Sequence, residues 1–307
     1  MNLKQLANKP QRFAPGHRSC SGCGFPQIVR TVLASTDNPV VVANATGCLE
    51  VTSTIYPFTS WKVPYIHSAF ENAAATITGV ESAYKALQKK GKLPKDKKIK
   101  FVAFGGDGGT YDIGLQSLSG ALERGHDFLY VLYDNEAYMN TNIQRSSSTP
   151  LGATTTTTPD GTIHHGKEEW KKDIMKIVEA HHIPYLAQAS VHNLIDLSMK
   201  AEKAFNTEGP SFIVVLQPCT LGWKFPTDMT IDIAKLAVET KFWPLYEIEN
   251  GKYKINYKPA KDVPVTEYLK TQGRFKHLFR PENKGILEQI QKTVNERWND
   301  IVKKCEG

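Results

Sequence analysis

Two stretches of sequence decide the fold: residues 99–109 read IKFVAFGGDGG, and residues 128–135 read FLYVLYDN. Each contains a continuous apolar run rich in β-branched and aromatic residues, at 101–104 and at 128–133, which is typical of a strand buried on both faces of a parallel sheet. A helix predicted from about Asp112 to Glu123 separates the two strands and completes a strand–helix–strand unit. We therefore predict an α/β protein with an open, mostly parallel sheet and helices on both faces.

The same alternation extends in both directions along the chain. Further strands are predicted at 39–43, 185–189 and 211–217, and further helices at 73–89, 167–181 and 193–205. Residues 140–168 form a long polar segment with three consecutive serines and five consecutive threonines, and loops of this length are usually functional or disordered. From Phe242 onward a hairpin near 246–257 precedes a charged terminal helix from about Asn283 to Lys304. We predict a main domain at residues 1–240 and a C-terminal extension at 241–307.

Composition limits the class of protein. The 307 residues are 40% hydrophobic and 22% charged, which excludes a wholly disordered chain. No apolar run reaches the roughly 18 residues of a membrane span, and the first residues lack the apolar core of a secretory signal. We expect a cytoplasmic protein without a membrane partner. The net charge of +7 favours an acidic partner or a phosphate-bearing cofactor.

The cysteines indicate a metal or redox site. Cys20 and Cys23 form a C-x-x-C pair, while Cys48 and Cys219 each follow a predicted strand. Because the carboxyl ends of parallel strands lie at one edge of a sheet, these four thiols can converge. Four thiolates suit structural Zn²⁺ or a [4Fe–4S] cluster, and the presence of only one C-x-x-C pair favours the cluster. Cys305, in the terminal helix, is predicted to be a free thiol.

A second constellation predicts a cofactor site. Gly106-Asp107-Gly108 follows one predicted strand, and Asn135 follows the next, 27 residues after Gly108. Glycines allow close backbone approach to a diphosphate, and Asp and Asn side chains supply hard oxygen ligands for its Mg²⁺. A Gly-Asp-Gly turn alone is a weak signal, since turns use these residues for conformational reasons. Combined with Asn135 at this spacing, it predicts a site for thiamine diphosphate and Mg²⁺.

Two other interpretations compete with an iron–sulfur thiamine enzyme. A structural or nucleic-acid-binding protein with a Cys₄ zinc site would use the seven lysines within residues 89–100 as a basic loop, but that loop has no aromatic residue for base stacking. We therefore expect a solvated loop and no nucleic-acid partner. A thiamine-dependent decarboxylase without a cluster would leave the four cysteines unexplained.

Between His17 and Trp223 several short motifs occur together. They are CSGCG at 20–24, NATGC at 44–48, SWKVP at 60–64, FENA at 70–73, GDG at 106–108, DNEAYMNT at 134–141, PC at 218–219 and GW at 222–223. In these motifs the chain resembles the β subunit of pyruvate:ferredoxin oxidoreductase (pyruvate synthase), within the 2-oxoacid:ferredoxin oxidoreductases. Singly the motifs are weak; together they are highly specific.

The resemblance implies that residues 1–240 bind thiamine diphosphate beside a [4Fe–4S] cluster. It implies that the cluster is held by Cys20, Cys23, Cys48 and Cys219, and that Mg²⁺ is held by Asp107, the Asn135 side chain and the Ala137 carbonyl. Asn140 matches a family position that faces the thiazolium and the substrate, and the resemblance implies that Asn140 and the adjacent Thr141 are catalytic residues. The other cofactor-binding positions that it implies are Gly24, Thr46, Gly47, Cys48, Gly106, Gly108, Gly109, Tyr138 and Met139.

The implied activity is oxidative decarboxylation of a 2-oxoacid to acyl-coenzyme A and CO₂, or the reverse synthesis, with electrons passing to ferredoxin. The substrate that the resemblance favours is pyruvate. In the family the activating glutamate comes from an α subunit, so we expect α, γ and δ or ferredoxin-like subunits as partners, and a structural role for the local Glu71 and Glu136. Two departures leave the substrate open. Asn142 stands where the family commonly has Gly, and the Thr-rich loop is long, so oxalate, 2-oxoglutarate and branched-chain 2-oxoacids remain alternatives.

Overall fold

The computed structural model describes residues 3–94 and 96–306. These residues form eight strands: β1 Val40–Ala45, β2 Tyr65–Ser68, β3 Lys100–Gly106, β4 Leu129–Asp134, β5 Tyr185–Ser190, β6 Ser211–Leu216, β7 Tyr246–Glu249 and β8 Lys252–Ile255. All eight belong to one sheet in the order β2-β1-β3-β4-β6-β5-β7-β8. Strands β1 to β6 pair in parallel, whereas β7 and β8 join antiparallel at one edge.

Helices connect the strands. They are α1 Leu3–Ala7, α2 Phe25–Ala34, α3 Cys48–Ser53, α4 Ala73–Lys89, α5 Leu115–Glu123, α6 Ile174–Glu179, α7 Leu194–Asn206, α8 Thr220–Trp223, α9 Thr230–Glu239, α10 Val265–Leu269 and α11 Lys284–Glu306. A π-helical turn, Gly108–Ile113, precedes α5, and short 3₁₀ helices occupy Gly273–Phe279 and Pro281–Asn283. Among the described helices, none combines the length and the apolar composition that a membrane crossing needs.

Both faces of the sheet are buried, as the continuous apolar runs predict. Along β3 the side chains alternate: Phe101 and Ala103 join the core on one face, and Val102 and Phe104 join the core on the other. Helices α4, α5, α6, α9 and α11 contribute to the first core, and α2 and α7 to the second. The prediction of an open, mostly parallel sheet with helices on both faces is confirmed.

The strand order fixes where a ligand can enter. The chain runs outward from β1 to β2 and then crosses back to β3, which lies on the other side of β1. At such a switch point the loops after the two central strands diverge and leave a crevice at the carboxyl edge of the sheet. The segments that border this crevice are 46–48, after β1, and 106–109, after β3.

Most predicted elements lie within two residues of their observed bounds, and the helix at 73–89 matches α4. The helix predicted at 167–181 is wrong at its start, because α6 begins only at Ile174. Asp173 caps α6, accepting a hydrogen bond from the Lys176 N–H, while Lys167 is buried with its ammonium on the carbonyl oxygens of Ser147 and Thr149. The helix predicted from about Asp112 corresponds to α5, which begins at Leu115, and the π-helical turn Gly108–Ile113 occupies the residues before it.

The C-terminal segment joins the main sheet. The predicted hairpin is present as β7 and β8, and β7 pairs with β5. The terminal helix α11 packs on β8 and α10, burying Ile290 and Val294. The division at residue 240 stays a prediction, and Lys95, within the predicted basic loop, lies outside the described residues.

Candidate active site at the carboxyl edge of the sheet

A small cavity of about 30 Å³, called here the strand-end cavity, lies at the crevice between β1 and β3. It is lined by Thr46, Gly47, Cys48, Phe70, Gly106, Asp107, Gly108, Gly109, Tyr133, Asn135, Ala137, Tyr138, Met139, Asn140 and Thr141. These include every predicted cofactor-binding and catalytic residue except Gly24. Gly24 lies at the start of α2, where it packs against Val191 and Gln217.

Three oxygen-bearing groups meet at this cavity. The end of the Asn135 amide lies 2.8 Å from Asp107 Oδ1 and 2.9 Å from the Ala137 carbonyl oxygen. With its nitrogen turned inward the amide donates to both oxygens, and with its oxygen turned inward it adds a third hard oxygen atom beside them. The second arrangement is a donor set suited to Mg²⁺. Burial, and then the charge of Asp134, raise the pKa of Asp107 well above its usual value.

Close packing requires glycine at position 108. A Cβ atom there would lie 2.2 Å from a ring carbon of Tyr138, whose hydroxyl donates to the Gly108 carbonyl at 2.9 Å. Any larger residue would push Tyr138 away and open the strand-end cavity. The Gly-Asp-Gly motif is thus explained partly by protein packing and not only by ligand approach.

Asn142, which stands where the family commonly has Gly, keeps a glycine-like backbone conformation. Asn142 adopts φ +88°, in the left-handed region that favours glycine and that asparagine tolerates better than most residues. Its carbonyl accepts a hydrogen bond from the Thr156 hydroxyl at 2.8 Å, and the Ile143 carbonyl accepts from the Thr156 N–H at 3.0 Å. The Thr-rich loop therefore packs directly on the segment that follows the predicted catalytic residues.

A second cavity of about 570 Å³, the four-thiol cavity, is lined by Cys20, Cys23, Cys48 and Cys219. It shares Cys48, Asn135, Met139, Asn140 and Thr141 with the strand-end cavity. Cys305 lies apart from both, in α11. In the described part of the chain, no group of three or more His, Cys, Asp or Glu side chains is arranged so that it could hold a metal ion.

The thiols influence one another's ionisation. Burial raises the pKa of Cys23 to about 12, and the charges of Cys219 and Cys20 add to the increase. Burial likewise raises the pKa of Cys48, followed by the charges of the other three cysteines. Thiolates in this position would need a strong positive counter-charge, which a metal or a cluster supplies.

A buried charge network lies behind the strand-end cavity. Lys171 donates to Asp134 at 2.8 Å and to Glu136 at 3.1 Å, and Arg274 donates to the other oxygen of Glu136 at 2.6 Å. Asp134 and Glu136 are both 0% exposed. Burial opposes the charge of Lys171, but the two carboxylates outweigh it and raise its pKa. Glu136 is thereby engaged in the protein interior, whereas Glu71 is exposed beside Phe70.

Arg274 links the C-terminal segment to Asn135, which lines both cavities. The motifs in the sequence do not predict this role. Its guanidinium stacks on the Trp223 ring at 3.8 Å, and the Trp223 indole N–H donates to the Asn135 carbonyl at 2.8 Å. Its own carbonyl accepts from Thr154, at the start of the five threonines. The local sequence carries no signal for this role, because the carboxylate partner lies 138 residues away.

Tyr133 was also missed. Its ring lines the strand-end cavity, and its hydroxyl is buried without a hydrogen-bond partner among the described residues. Buried hydroxyls are almost always paired, so this group is placed to meet a ligand. The one available signal was its position at the end of β4, directly before Asp134.

This chain has the features of thiamine-diphosphate-binding α/β proteins. These are the parallel sheet with its switch point, the Gly-Asp-Gly motif after β3 and Asn135 after β4. The family described as "Thiamine pyrophosphate enzyme, C-terminal TPP binding domain" matches residues 45–215. The chain is 54% identical to pyruvate synthase subunit PorB of Thermotoga maritima, covering 98% of this chain and 96% of that protein. It is 56% identical to PorB of Methanocaldococcus jannaschii, covering 94% and 96%.

The chain belongs to the β subunits of the 2-oxoacid:ferredoxin oxidoreductases, the family that contains pyruvate synthase PorB. Ketoisovalerate oxidoreductase subunit VorB of Pyrococcus abyssi is also similar, at 47% identity over 96% of this chain and 94% of that one. Among solved structures, 2-oxoglutarate:ferredoxin oxidoreductase from Magnetococcus marinus shares the fold, with a TM-score of 0.60 at 20% identity, covering 87% of this chain and 81% of that chain. The predicted family and enzyme class are confirmed.

The buried pair of Glu136 and Arg274 generates a stability prediction. Arg274→Met leaves a carboxylate in the interior without one of its two cations, so we expect it to lower the free energy of unfolding by about 3 kcal/mol or more. Adding Glu136→Gln should recover most of that loss, because the neutral pair has no charge to bury. Urea unfolding of the cofactor-free chain measures both changes.

Lys270→Met is the matched control, since Lys270 pairs with Glu267 at the surface of the same segment and should cost less than about 1 kcal/mol. Equal stabilities of the Arg274→Met single variant and the wild type would contradict the importance of this pair.

Proposed function

We propose that this chain is the catalytic β subunit of a pyruvate:ferredoxin oxidoreductase, in which thiamine diphosphate lies beside a [4Fe–4S] cluster. The reaction is oxidative decarboxylation of pyruvate to acetyl-coenzyme A and CO₂, or the reverse synthesis. The observation that carries the proposal is that Cys48 lines both the strand-end cavity and the four-thiol cavity. A cofactor in one cavity and a cluster in the other would therefore be close neighbours.

The donor set of the strand-end cavity fits a magnesium diphosphate. Asp107, the Asn135 amide oxygen and the Ala137 carbonyl would hold Mg²⁺, since one carboxylate and two neutral oxygens leave coordination positions for phosphate oxygens. When bound, thiamine diphosphate supplies the carbanion chemistry that 2-oxoacid decarboxylation requires. The chain's own contribution is to bind and orient the diphosphate end of the cofactor at the strand-end cavity.

The four-thiol cavity fits an iron–sulfur cluster. Cys20, Cys23, Cys48 and Cys219 come from three loops and share one cavity, and four thiolates are the usual ligands of a [4Fe–4S] cluster. Zn²⁺ would also accept four thiolates, but it could not receive the electrons that the proposed reaction releases. Through the cluster those electrons would reach ferredoxin or a ferredoxin-like subunit, for which the net charge of +7 favours an acidic partner.

The activating acid is expected from a partner chain. Among the described residues that line the strand-end cavity, Asp107 is the only carboxylate, and it belongs to the proposed cation site. Glu136 is held by Lys171 and Arg274. We therefore propose an α subunit that supplies a glutamate, with γ and δ or ferredoxin-like subunits completing the complex.

Pyruvate is favoured by the names of seven similar proteins, which are pyruvate synthase PorB subunits at 47–56% identity. The ketoisovalerate relative at 47% keeps a branched-chain substrate as the second candidate. The residues that would decide between them are those where this chain departs from the family, Asn142 and the Thr-rich loop that packs on it.

The first test concerns the cation site. Asp107→Ala should weaken Mg²⁺-dependent binding of thiamine diphosphate by more than the roughly 10–100-fold that is typical of residues outside the first coordination shell, while iron content stays unchanged. Asn135→Ala should have a smaller effect, because a neutral amide binds a divalent cation less strongly. Bound thiamine, released and measured as thiochrome fluorescence, and total iron are the two measurements.

Asp112→Ala is the matched control, since Asp112 lies in the π-helical turn that follows Asp107 but does not line the strand-end cavity. Near-normal cofactor affinity in Asp107→Ala would refute the assignment.

The second test concerns the electrons. Cys48→Ala and Cys219→Ala should each lose the reduced-state EPR signal and ferredoxin reduction, because three thiolates hold a four-iron cluster poorly. Cys305→Ala should leave iron content and turnover unchanged, since this residue lies in α11 away from both cavities. Loss of the cluster in Cys305→Ala, or its survival in both other variants, would overturn the cluster assignment.

The third test concerns substrate and partner. The assembled complex should oxidise pyruvate with a kcat/KM at least tenfold above that for 3-methyl-2-oxobutanoate, 2-oxoglutarate or oxalate. The purified single chain should oxidise none of them, because the activating glutamate is missing. Ferredoxin reduction is measured with each 2-oxoacid, once with the assembled complex and once with the purified single chain. Full activity of the single chain would place the acid in this chain, and a preference for a branched-chain 2-oxoacid would replace pyruvate.

A further inference from the structure

Three consecutive serines in the long polar loop each bind a different aspartate. The hydroxyl of Ser146 donates to Asp107 Oδ2, that of Ser147 to Asp112, and that of Ser148 to Asp134 at 2.6 Å. Asp107 and Asp112 lie after β3, and Asp134 ends β4. The loop therefore contacts the carboxylates of both strand ends, although the proposed reaction gives its serines no role.

The two carboxylate oxygens of Asp107 have different partners. Oδ2 accepts from Ser146, while Oδ1 is the atom that lies 2.8 Å from the Asn135 amide. Ser146 Oγ in turn accepts the Ser148 N–H at 3.1 Å, which leaves its own proton for Asp107. Asp107 and Ser146 are each 1% exposed, so water does not compete for this bond.

The backbone that carries Ser146 is itself fixed. The Ser146 N–H donates to Thr149 Oγ1 at 3.0 Å, and that hydroxyl donates to the Glu136 carbonyl at 2.7 Å. Lys167, 2% exposed, donates from its ammonium to the Thr149 carbonyl at 2.7 Å. Because these bonds hold the turn from two sides, Ser146 cannot follow Asp107 if the carboxylate rotates.

We propose that Ser146 is a positioning residue for the cation that accompanies the diphosphate. By holding Oδ2, it keeps Oδ1 beside the Asn135 amide, which also lies against the Ala137 carbonyl. This inference rests on the proposed function, because the cation is part of that function. Hydrogen bonds to ligating carboxylates typically change metal affinity by about 10–100-fold when they are removed.

The test uses the full-length chain, purified together with any chains that bind it. Mn²⁺ replaces Mg²⁺, and the EPR signal of free Mn²⁺ is followed as the metal is titrated at a fixed concentration of thiamine diphosphate. Ser146→Ala should weaken Mn²⁺ binding by about 10-fold or more. Ser146→Thr, which keeps the hydroxyl, should restore most of the affinity.

Ser147→Ala is the matched control, since it removes the neighbouring serine–aspartate bond at Asp112, whose side chain is 25% exposed and does not line the strand-end cavity. Its Mn²⁺ affinity should equal that of the wild type. Melting temperatures without cofactor are measured for all variants, and where Ser146→Ala does not fold, Ser146→Cys, a weaker donor of similar size, takes its place.

The outcomes separate the two claims. Thiamine-diphosphate-dependent Mn²⁺ binding in the wild type that is weakened by Ser146→Ala and not by Ser147→Ala supports the positioning role. Equal affinity of Ser146→Ala and the wild type, or equal loss in both alanine variants, overturns that role and leaves the proposed function standing. A wild type that binds no Mn²⁺ with thiamine diphosphate overturns both.

Discussion

The constraint on which this structure depends is the burial of three carboxylates, Asp107, Asp134 and Glu136, at one edge of a parallel sheet. An unpaired buried charge is costly, so each must receive cations or hydrogen bonds from elsewhere in the chain. Lys171 serves Asp134 and Glu136, Arg274 serves Glu136, and serine hydroxyls serve Asp107 and Asp134. These bonds hold segments that are distant in sequence against the loop that follows β4, and the bond from Ser146 to Asp107 Oδ2 leaves Oδ1 facing the Asn135 amide at 2.8 Å.

Topology explains why these groups meet at all. The reversal between β1 and β3 opens a crevice at their carboxyl ends, and the loop after β4 closes it from one side. The loop after β6 carries Cys219 to the same edge, where it meets the C-x-x-C turn before α2 and Cys48 after β1. The strand order therefore brings the residues that line both cavities to one edge of the sheet, and five of these residues line both cavities.

Sequence reasoning succeeds where the signal is local. Buried strands are recognisable as continuous apolar runs, as in residues 101–104. The cysteines and the Gly-Asp-Gly motif are recognisable because few other residue types can hold a cluster or a diphosphate with its cation. It fails where the deciding partner is distant. Lys167 is read as the start of a helix because its burial against Ser147 and Thr149 leaves no trace in periodicity. Arg274 resembles any other basic residue of the C-terminal segment until Glu136 is placed beside it. Asn142 replaces the glycine that is common in the family, but its backbone has a positive φ, a conformation that glycine favours.

The C-terminal segment is therefore energetically part of the site, although none of its described residues lines the strand-end cavity. Arg274 braces Glu136, stacks on Trp223 and accepts a hydrogen bond from Thr154 through its carbonyl, and Trp223 in turn holds the carbonyl of Asn135. A ligand that binds only when Asn135, Ala137 and Asp107 are correctly placed must also favour the conformation in which these contacts are made. By mass action, its binding free energy then stabilises the docking of the whole segment. The same linkage acts in reverse, so that substitutions behind the site, remote from any reacting atom, can alter cofactor affinity through the position of one loop.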